Sequence, residues 1–270
     1  MVGDRKRRAN IPGDGRWQRT PGGRRGAMFG IADRDRVRDR LIERARADPD
    51  IAAAALIGST VAGGDRWSDL DLTFGVASDV PIEPVLARWT RDVAAEFGAV
   101  ALFDLAVPPT VYRVFLLPGA LQVDLSFAPA AASRRSPRFR LLFGEAVERP
   151  APPPPPPEHL FGLGVHDLTH ARVCIERGLP LQAEHWIHEA RYQALTLACA
   201  RLGLDTSYGR GFGRLPPEVV DPLAGALARD LSAGELRRAL AVATAGLLRE
   251  ARGMPELVAR VRPMLEDLPH

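Results

Sequence analysis

Asp69 and Asp71 are separated by a single leucine in the run Asp69-Leu70-Asp71-Leu72-Thr73-Phe74, which alternates polar and apolar residues. That alternation predicts a strand over 69–77, with Asp69, Asp71 and Thr73 on one face and Leu70, Leu72 and Phe74 turned into a core. Two carboxylates ~6–7 Å apart along a strand face can hold a pair of hard cations roughly 3.5–4 Å apart. A second alternating run, Leu121-Gln122-Val123-Asp124-Leu125-Ser126-Phe127, puts Gln122, Asp124 and Ser126 on one face, and Asp124 is its only acid. If the two strands are neighbours, three carboxylates converge. That is the minimum oxygen-ligand set for two-metal phosphoryl transfer, with Asp69, Asp71 and Asp124 as the candidate ligands of hard cations.

Upstream, the apolar run 51–58 ends in Gly58-Ser59, and a turn carrying Gly63 and Gly64 leads into the acidic strand. A Gly-Ser turn or an Asp-x-Asp pair is a weak signal alone. Their joint occurrence at this spacing, with an acid on an alternating strand further on, is much harder to produce by chance. Lys6 is the only lysine, so residues 7–270 contain none. A P-loop lysine, a covalently adenylated lysine and Schiff-base chemistry are thereby excluded there. Any phosphate is handled by backbone amides, arginine and metal.

The segment Gly58-Ser59…Gly63…Asp69-Leu70-Asp71 resembles the active-site motif of the polymerase-β-like nucleotidyltransferase superfamily. The arrangement of a mixed α/β domain followed by helices is similar to the antibiotic nucleotidyltransferases that act on aminoglycosides and lincosamides. The motif-level resemblance covers about residues 51–128 and is only architectural beyond 158. It implies that Gly58 and Ser59 contact the β- and γ-phosphates of ATP or another nucleoside triphosphate. It implies that Asp69 and Asp71 ligate Mg²⁺, with Asp124 as metal ligand, general base or both. Some relatives use a lysine to stabilise the departing pyrophosphate; with none here, Arg66, Arg177 and Arg191 are the candidates, Arg66 being assigned to nucleotide binding. The implied reaction is transfer of a nucleoside monophosphate, AMP from ATP, to a hydroxyl of a small acceptor such as an antibiotic. The alternative is a non-catalytic nucleotide-binding or antitoxin-like protein on the same fold.

These residues need a scaffold. Residues 33–47 read as a helix with Val37, Leu41, Ile42 and Ala45 on one stripe, 51–58 as a buried strand, and 82–97 as an amphipathic helix. Further strands are expected at 99–107, 110–117 and 120–128, the last two joined through Pro118-Gly119. Pro150-Ala151 and the six prolines 152–157 cannot enter helix or sheet and form a stiff spacer. Beyond it, 159–177, 181–202, 217–229, 232–250 and 255–266 have helical spacing, with Ser232 and Glu235 as a capping box. The fold class is α+β: a basic tail (1–29), a mixed-sheet nucleotidyltransferase-type domain (30–149), a linker (150–158) and a helical, substrate-binding bundle (159–270).

Of 270 residues, 46% are apolar and 26% charged, an ordinary globular composition. Net charge is +3, yet residues 1–29 hold eight basic and two acidic residues, a surplus of six that leaves the rest at −3. Basicity therefore belongs to a Gly/Arg-rich tail, which reads as an arm or as sequence ahead of an initiator at Met28, and nucleic acid is not the expected partner. No apolar run approaches a membrane span or signal peptide, so a cytoplasmic location is expected. Cys174 and Cys199 lie on helical patterns and read as buried thiols. His166 and His170 are spaced i,i+4, but neither a Cys pattern nor HExxH accompanies them to make zinc the metal. On the helix 181–202, His185, Glu189, Gln193 and Thr196 form a polar stripe, from which Glu189 is expected to touch the acceptor, as a base in place of Asp124. From 159 to 205 there are five acids against four arginines, so a neutral or weakly charged acceptor is expected over a polycation.

Overall fold

The computed structural model describes residues 28–130, 134–135, 138–148 and 153–269. Its contacts divide the chain into two compact units, Met1–Ala151 and Pro152–His270. The class is α+β.

In the first unit, α1 (Ile31–Ala47) and β1 (Ile51–Ile57) lead through a short 3₁₀ turn (Ser59–Ala62) to β2 (Leu70–Val76). Then come α2 (Ile82–Phe97), β3 (Val100–Val107), β4 (Thr110–Leu117), β5 (Leu121–Pro129), β6 (Arg134–Arg135), β7 (Phe139–Phe143) and β8 (Val147–Glu148). Six strands form one sheet in the order β3-β4-β5-β2-β1-β7, and β6 and β8 form a small separate pair. Within the large sheet β2 and β5 run parallel, while the remaining pairs are antiparallel. Strand alternation sends Leu70, Leu72 and Phe74 of β2 and Val123, Leu125 and Phe127 of β5 to one face, all fully buried. Val37, Leu41 and Ala45 of α1 and Val85, Trp89 and Val93 of α2 complete that core. Phe74 lies 4.6 Å from Trp89 and 5.3 Å from Phe127, ring centre to ring centre. Each such buried aromatic is worth roughly 2–3 kcal/mol of apolar burial, which holds β2 and β5 in register on the face opposite their acids.

Helical and strand signals in the first unit hold to within two residues up to β5, and the short β6 and β8 have no counterpart in the sequence. Strand β2 begins at Leu70, so Asp69 immediately precedes it. The edge strand β7 has no counterpart in the sequence reading: its five residues interleave an arginine with apolar positions and read as no clear element. The expected tail 1–29 lies outside the described residues except at its end, where Phe29 is buried in the core and its N–H donates to Gly119 O at 2.9 Å.

The second unit comprises α3 (Pro157–Glu176), α4 (Pro180–Arg201), a 3₁₀ turn (Phe212–Arg214), α5 (Pro217–Ala224), α6 (Ala233–Glu250) and α7 (Pro255–Glu266). Residues 150–152 of the expected linker lie outside the described residues. α3 starts at Pro157 rather than 159, because proline at the first helical position lacks only an N–H that would be unpaired anyway. α5 ends at Ala224 rather than 229, soon after its internal Pro222. Ser232 Oγ accepts from Glu235 N at 3.3 Å, as an N-cap does. Leu168, Ala171, Ile187, Ala194, Leu240 and Leu247 line the bundle core. Cys174 and Cys199 are buried free thiols. No helix among the described residues is long and apolar enough to cross a membrane.

Candidate metal and phosphate site

The sheet places β2 beside β5 with Asp71 opposite Asp124. Paired residues on adjacent strands face the same side, so both carboxylates rise from the face that α1 and α2 leave uncovered. Asp69, at the mouth of β2, joins them, and one carboxylate oxygen from each of the three lies within 4.8 Å of the others. All three side chains are partly buried. Gln122, two residues before Asp124 on the same face, donates to its Oδ1 and Oδ2 at 3.1 and 3.2 Å. Burial pushes the Asp124 carboxyl above the usual carboxylate range, Gln122 opposes the rise, and the charge of Asp69 adds to it. Oxygen donors of this kind suit a hard divalent cation, which would relieve the mutual repulsion of the acids.

Gly58 and Ser59 stand at the end of β1 against Asp71, since Ile57 pairs with Asp71 across the ladder. Gly58 has φ +77°, which disfavours any side chain, and a Cβ there would overlap the Asp71 carboxylate. Its N–H donates to Arg138 O at 3.1 Å. The N–H is therefore engaged, which revises the expectation that Gly58 offers it to a phosphate. Gly58 instead makes room for Asp71. Ser59 Oγ is buried with no hydrogen-bond partner among the described residues. An unmet buried hydroxyl costs about 1–3 kcal/mol, so it marks a position where an acceptor such as a phosphate oxygen completes the structure.

The loop between this turn and Asp69 is pinned from within and from α1. Asp65 Oδ1 accepts from Trp67 N at 2.9 Å and from Ser68 Oγ at 3.1 Å. Arg34, only 6% exposed, donates through Nη1 to Asp65 O at 2.5 Å and to Ser68 O at 3.5 Å. A buried guanidinium thus braces the turn that delivers Asp69. In the sequence Arg34 is one charge among many on a polar helix. The available signal was its position on the stripe Arg34-Val37-Leu41-Ala45, a charge where an apolar residue belongs.

No family model matches the chain, and no curated protein matches it. Among solved structures it is similar to an aminoglycoside 6-adenyltransferase from Bacillus subtilis, at 11% identity over 89% of this chain and 99% of that one, with a TM-score of 0.38. A likeness at that identity and TM-score assigns no role to this chain.

The three candidate arginines have different surroundings. Arg66 is exposed on the loop before Asp69, its guanidinium 4.4 Å from the Trp67 ring centre. Arg177 is exposed at the C-cap of α3. Arg191 is buried, donates to Ala226 O at 3.1 Å and contacts His188 Nδ1 at 2.7 Å. It serves the fold of the bundle, which removes it as a pyrophosphate ligand.

Glu189 is half-buried on α4, and the polar stripe assigned to that helix fades along its length. His185 is exposed, Gln193 partly buried, and Thr196 fully buried, its hydroxyl donating to Tyr192 O at 2.8 Å. Thr196 therefore leaves the stripe. Near Glu189 is Asp167, a buried residue. Burial pushes its carboxyl up to about 6, His166 and His185 pull it down, and Glu189 raises it. The His166 and His170 rings lie 4.3 Å apart, centre to centre and tilted by 55°, beside Trp186. Among the described residues the acidic trio is the only group of three or more ligand-type side chains close enough to share an ion.

Proposed function

We propose that the first unit binds a nucleoside triphosphate with Mg²⁺ and transfers its nucleoside monophosphate, AMP from ATP, to a hydroxyl of a small acceptor. The observation that supports it most is the convergence of Asp69, Asp71 and Asp124 beside the unpartnered hydroxyl of Ser59. Asp69, Asp71 and Asp124 would hold the cations. Mg²⁺ bound there would supply Lewis-acid charge that lowers the pKa of the entering hydroxyl and stabilises the leaving oxygens.

The chain's own part is positioning and charge. Ser59 Oγ donates to a β- or γ-phosphate oxygen, and the exposed Arg66 takes the place of a lysine beside the departing pyrophosphate. Asp124 faces the entering hydroxyl and accepts its proton. The acceptor oxygen forms a bond to the α-phosphorus while the bond from that phosphorus to the bridging oxygen breaks and pyrophosphate leaves. Arg34 and Asp65 keep the loop in one conformation, so Asp69 needs no ordering when the nucleotide arrives.

Purified protein with Mg²⁺, ATP labelled at the α-phosphate and a panel of hydroxylated small molecules should label one acceptor class and release pyrophosphate. EDTA should stop both and added Mg²⁺ restore both. Release of inorganic phosphate instead, or transfer indifferent to EDTA, would contradict this function.

A further inference from the structure

The face that carries the acids does not end at β5. Ladder pairing aligns Asp71, Asp124, Val114 and Phe103 in one row across β2, β5, β4 and β3. The next row is Thr73, Ser126, Tyr112 and Leu105, and the row on the other side runs from Gln122 through Leu116 to Val100. Beyond Asp124, then, this face becomes apolar. Phe103, Leu105 and Val100 are 59%, 54% and 60% exposed. The charges of the same two strands are on the opposite face, where Arg113 pairs with Asp104 at 2.6 Å and with Thr90 of α2 at 2.6 Å. This exposed apolar surface lies in line with the polar site, beyond the buried Val114, and exposed apolar patches mark places that a ligand or partner covers. Two strand spacings of ~4.8 Å put Phe103 about 10 Å from Asp124, within the span of a small molecule whose hydroxyl reaches the acids.

Resting on the proposed transfer, we infer that Phe103, Leu105, Val100, Leu116 and Tyr112 form the acceptor platform, and that the acceptor is an uncharged hydroxylated molecule with an apolar body. The direction of the reaction selects this occupant. In-line displacement requires the attacking oxygen to enter opposite the leaving pyrophosphate. Ser59 holds the β- and γ-phosphates on the β1 side of Asp71, so the acceptor enters on the β5 side, over Asp124. The surface that continues from there is β4 and β3. It has no free charge to match a polycation, and its apolar side chains gain by covering a hydrocarbon or ring surface.

Phe103→Ser with Leu105→Ser tests this in the full chain, because both side chains are exposed and their loss leaves the core intact. The acceptor probes are neutral alkyl glucosides from methyl to octyl, below their micelle concentrations, with kanamycin as the polycation. Transfer of labelled AMP is measured beside Mg²⁺-dependent ATP binding and sedimentation. For the wild type, kcat/KM should rise about tenfold or more from methyl to octyl. The double variant should remove that rise while KM for ATP stays within about twofold. A flat dependence on chain length with ATP binding intact overturns the platform, absence of transfer to every glucoside included. So does preference for kanamycin. A raised KM for ATP in the variant would assign the surface to the nucleobase, and a changed oligomeric state would assign it to a second copy of the chain; either overturns the inference. Loss of Mg²⁺-dependent ATP binding in the wild type would instead overturn the nucleotidyl-transfer reading, and the binding measurement reports that separately.

Discussion

Asp124→Asn is expected to lower nucleotidyl transfer about a thousandfold, ~4 kcal/mol of transition-state stabilisation, while making the metal-free protein more stable. The two effects have one cause. Asp124 is partly buried and stands against Asp69, and its carboxyl titrates above the usual range in the folded chain. A carboxyl whose folded pKa is raised favours folding when protonated. That contribution is present below the unfolded value near 3.9 and is lost as pH rises through the folded value, so the ionised group opposes folding at neutral pH. Asparagine keeps the shape and removes the charge. Without Mg²⁺ at pH 7, the variant should melt roughly 2–4 °C higher for each kcal/mol so relieved. That gain should shrink below about pH 4, where the wild-type group is protonated as well. With Mg²⁺, the wild type should gain stability and the variant should not. A variant that keeps the Mg²⁺-dependent rise in melting temperature, or that melts lower without metal, would contradict the site.

Gly58→Ala should reduce kcat about a hundredfold, the cost expected when reacting groups are displaced by about 1 Å. Two effects act there, and they are separable. Alanine at φ +77° carries a backbone cost of roughly 1–2 kcal/mol. Independently, its methyl group would overlap the Asp71 carboxylate and push it out of the trio. Gly63→Ala is the control, because Gly63 also has positive φ, +98°, but a Cβ there meets nothing within 4 Å. Both variants should lose melting temperature, and only Gly58→Ala should lose Mg²⁺ affinity and kcat. Equal losses in the two would mean that backbone strain alone explains the effect and that Asp71 is not the group affected.

The acids were legible in the sequence because a strand's period of two assigns faces without knowledge of the fold. Asp71 and Asp124 could be placed on the same side of their strands before the strands were known to be neighbours. What the sequence left open was adjacency, and the structure supplies it through parallel pairing of β2 with β5, strands with α2, β3 and β4 between them in the chain. The α+β class followed from alternating runs ahead of the prolines and 3.6-residue spacing after them. The misses have local physical causes. Arg34 was hidden because a buried arginine looks like any other charge on a polar helix until its backbone acceptors, Asp65 O and Ser68 O, are brought to it by tertiary contact. Gly58 was given a donor's role, and its N–H is taken by the carbonyl of Arg138, the residue just ahead of an edge strand the sequence did not announce. Thr196 looked like part of a polar stripe, but its hydroxyl bonds back to Tyr192 O within the helix, which lets it be buried. Arg191 was a candidate for pyrophosphate until burial and the Ala226 carbonyl accounted for it.

The central claim is that Asp69, Asp71 and Asp124 together hold the divalent cations that receive a nucleotide. Crystals grown with Mn²⁺ and an ATP analogue carrying a non-hydrolysable α,β-bridge test it most directly, because Mn²⁺ takes the same oxygen ligands as Mg²⁺ and is visible by anomalous scattering. Anomalous peaks are predicted among the three carboxylates, with the analogue's terminal phosphates against Ser59 Oγ. Manganese elsewhere on the chain, or an analogue bound with its phosphates away from Ser59 and the acidic trio, would contradict the account.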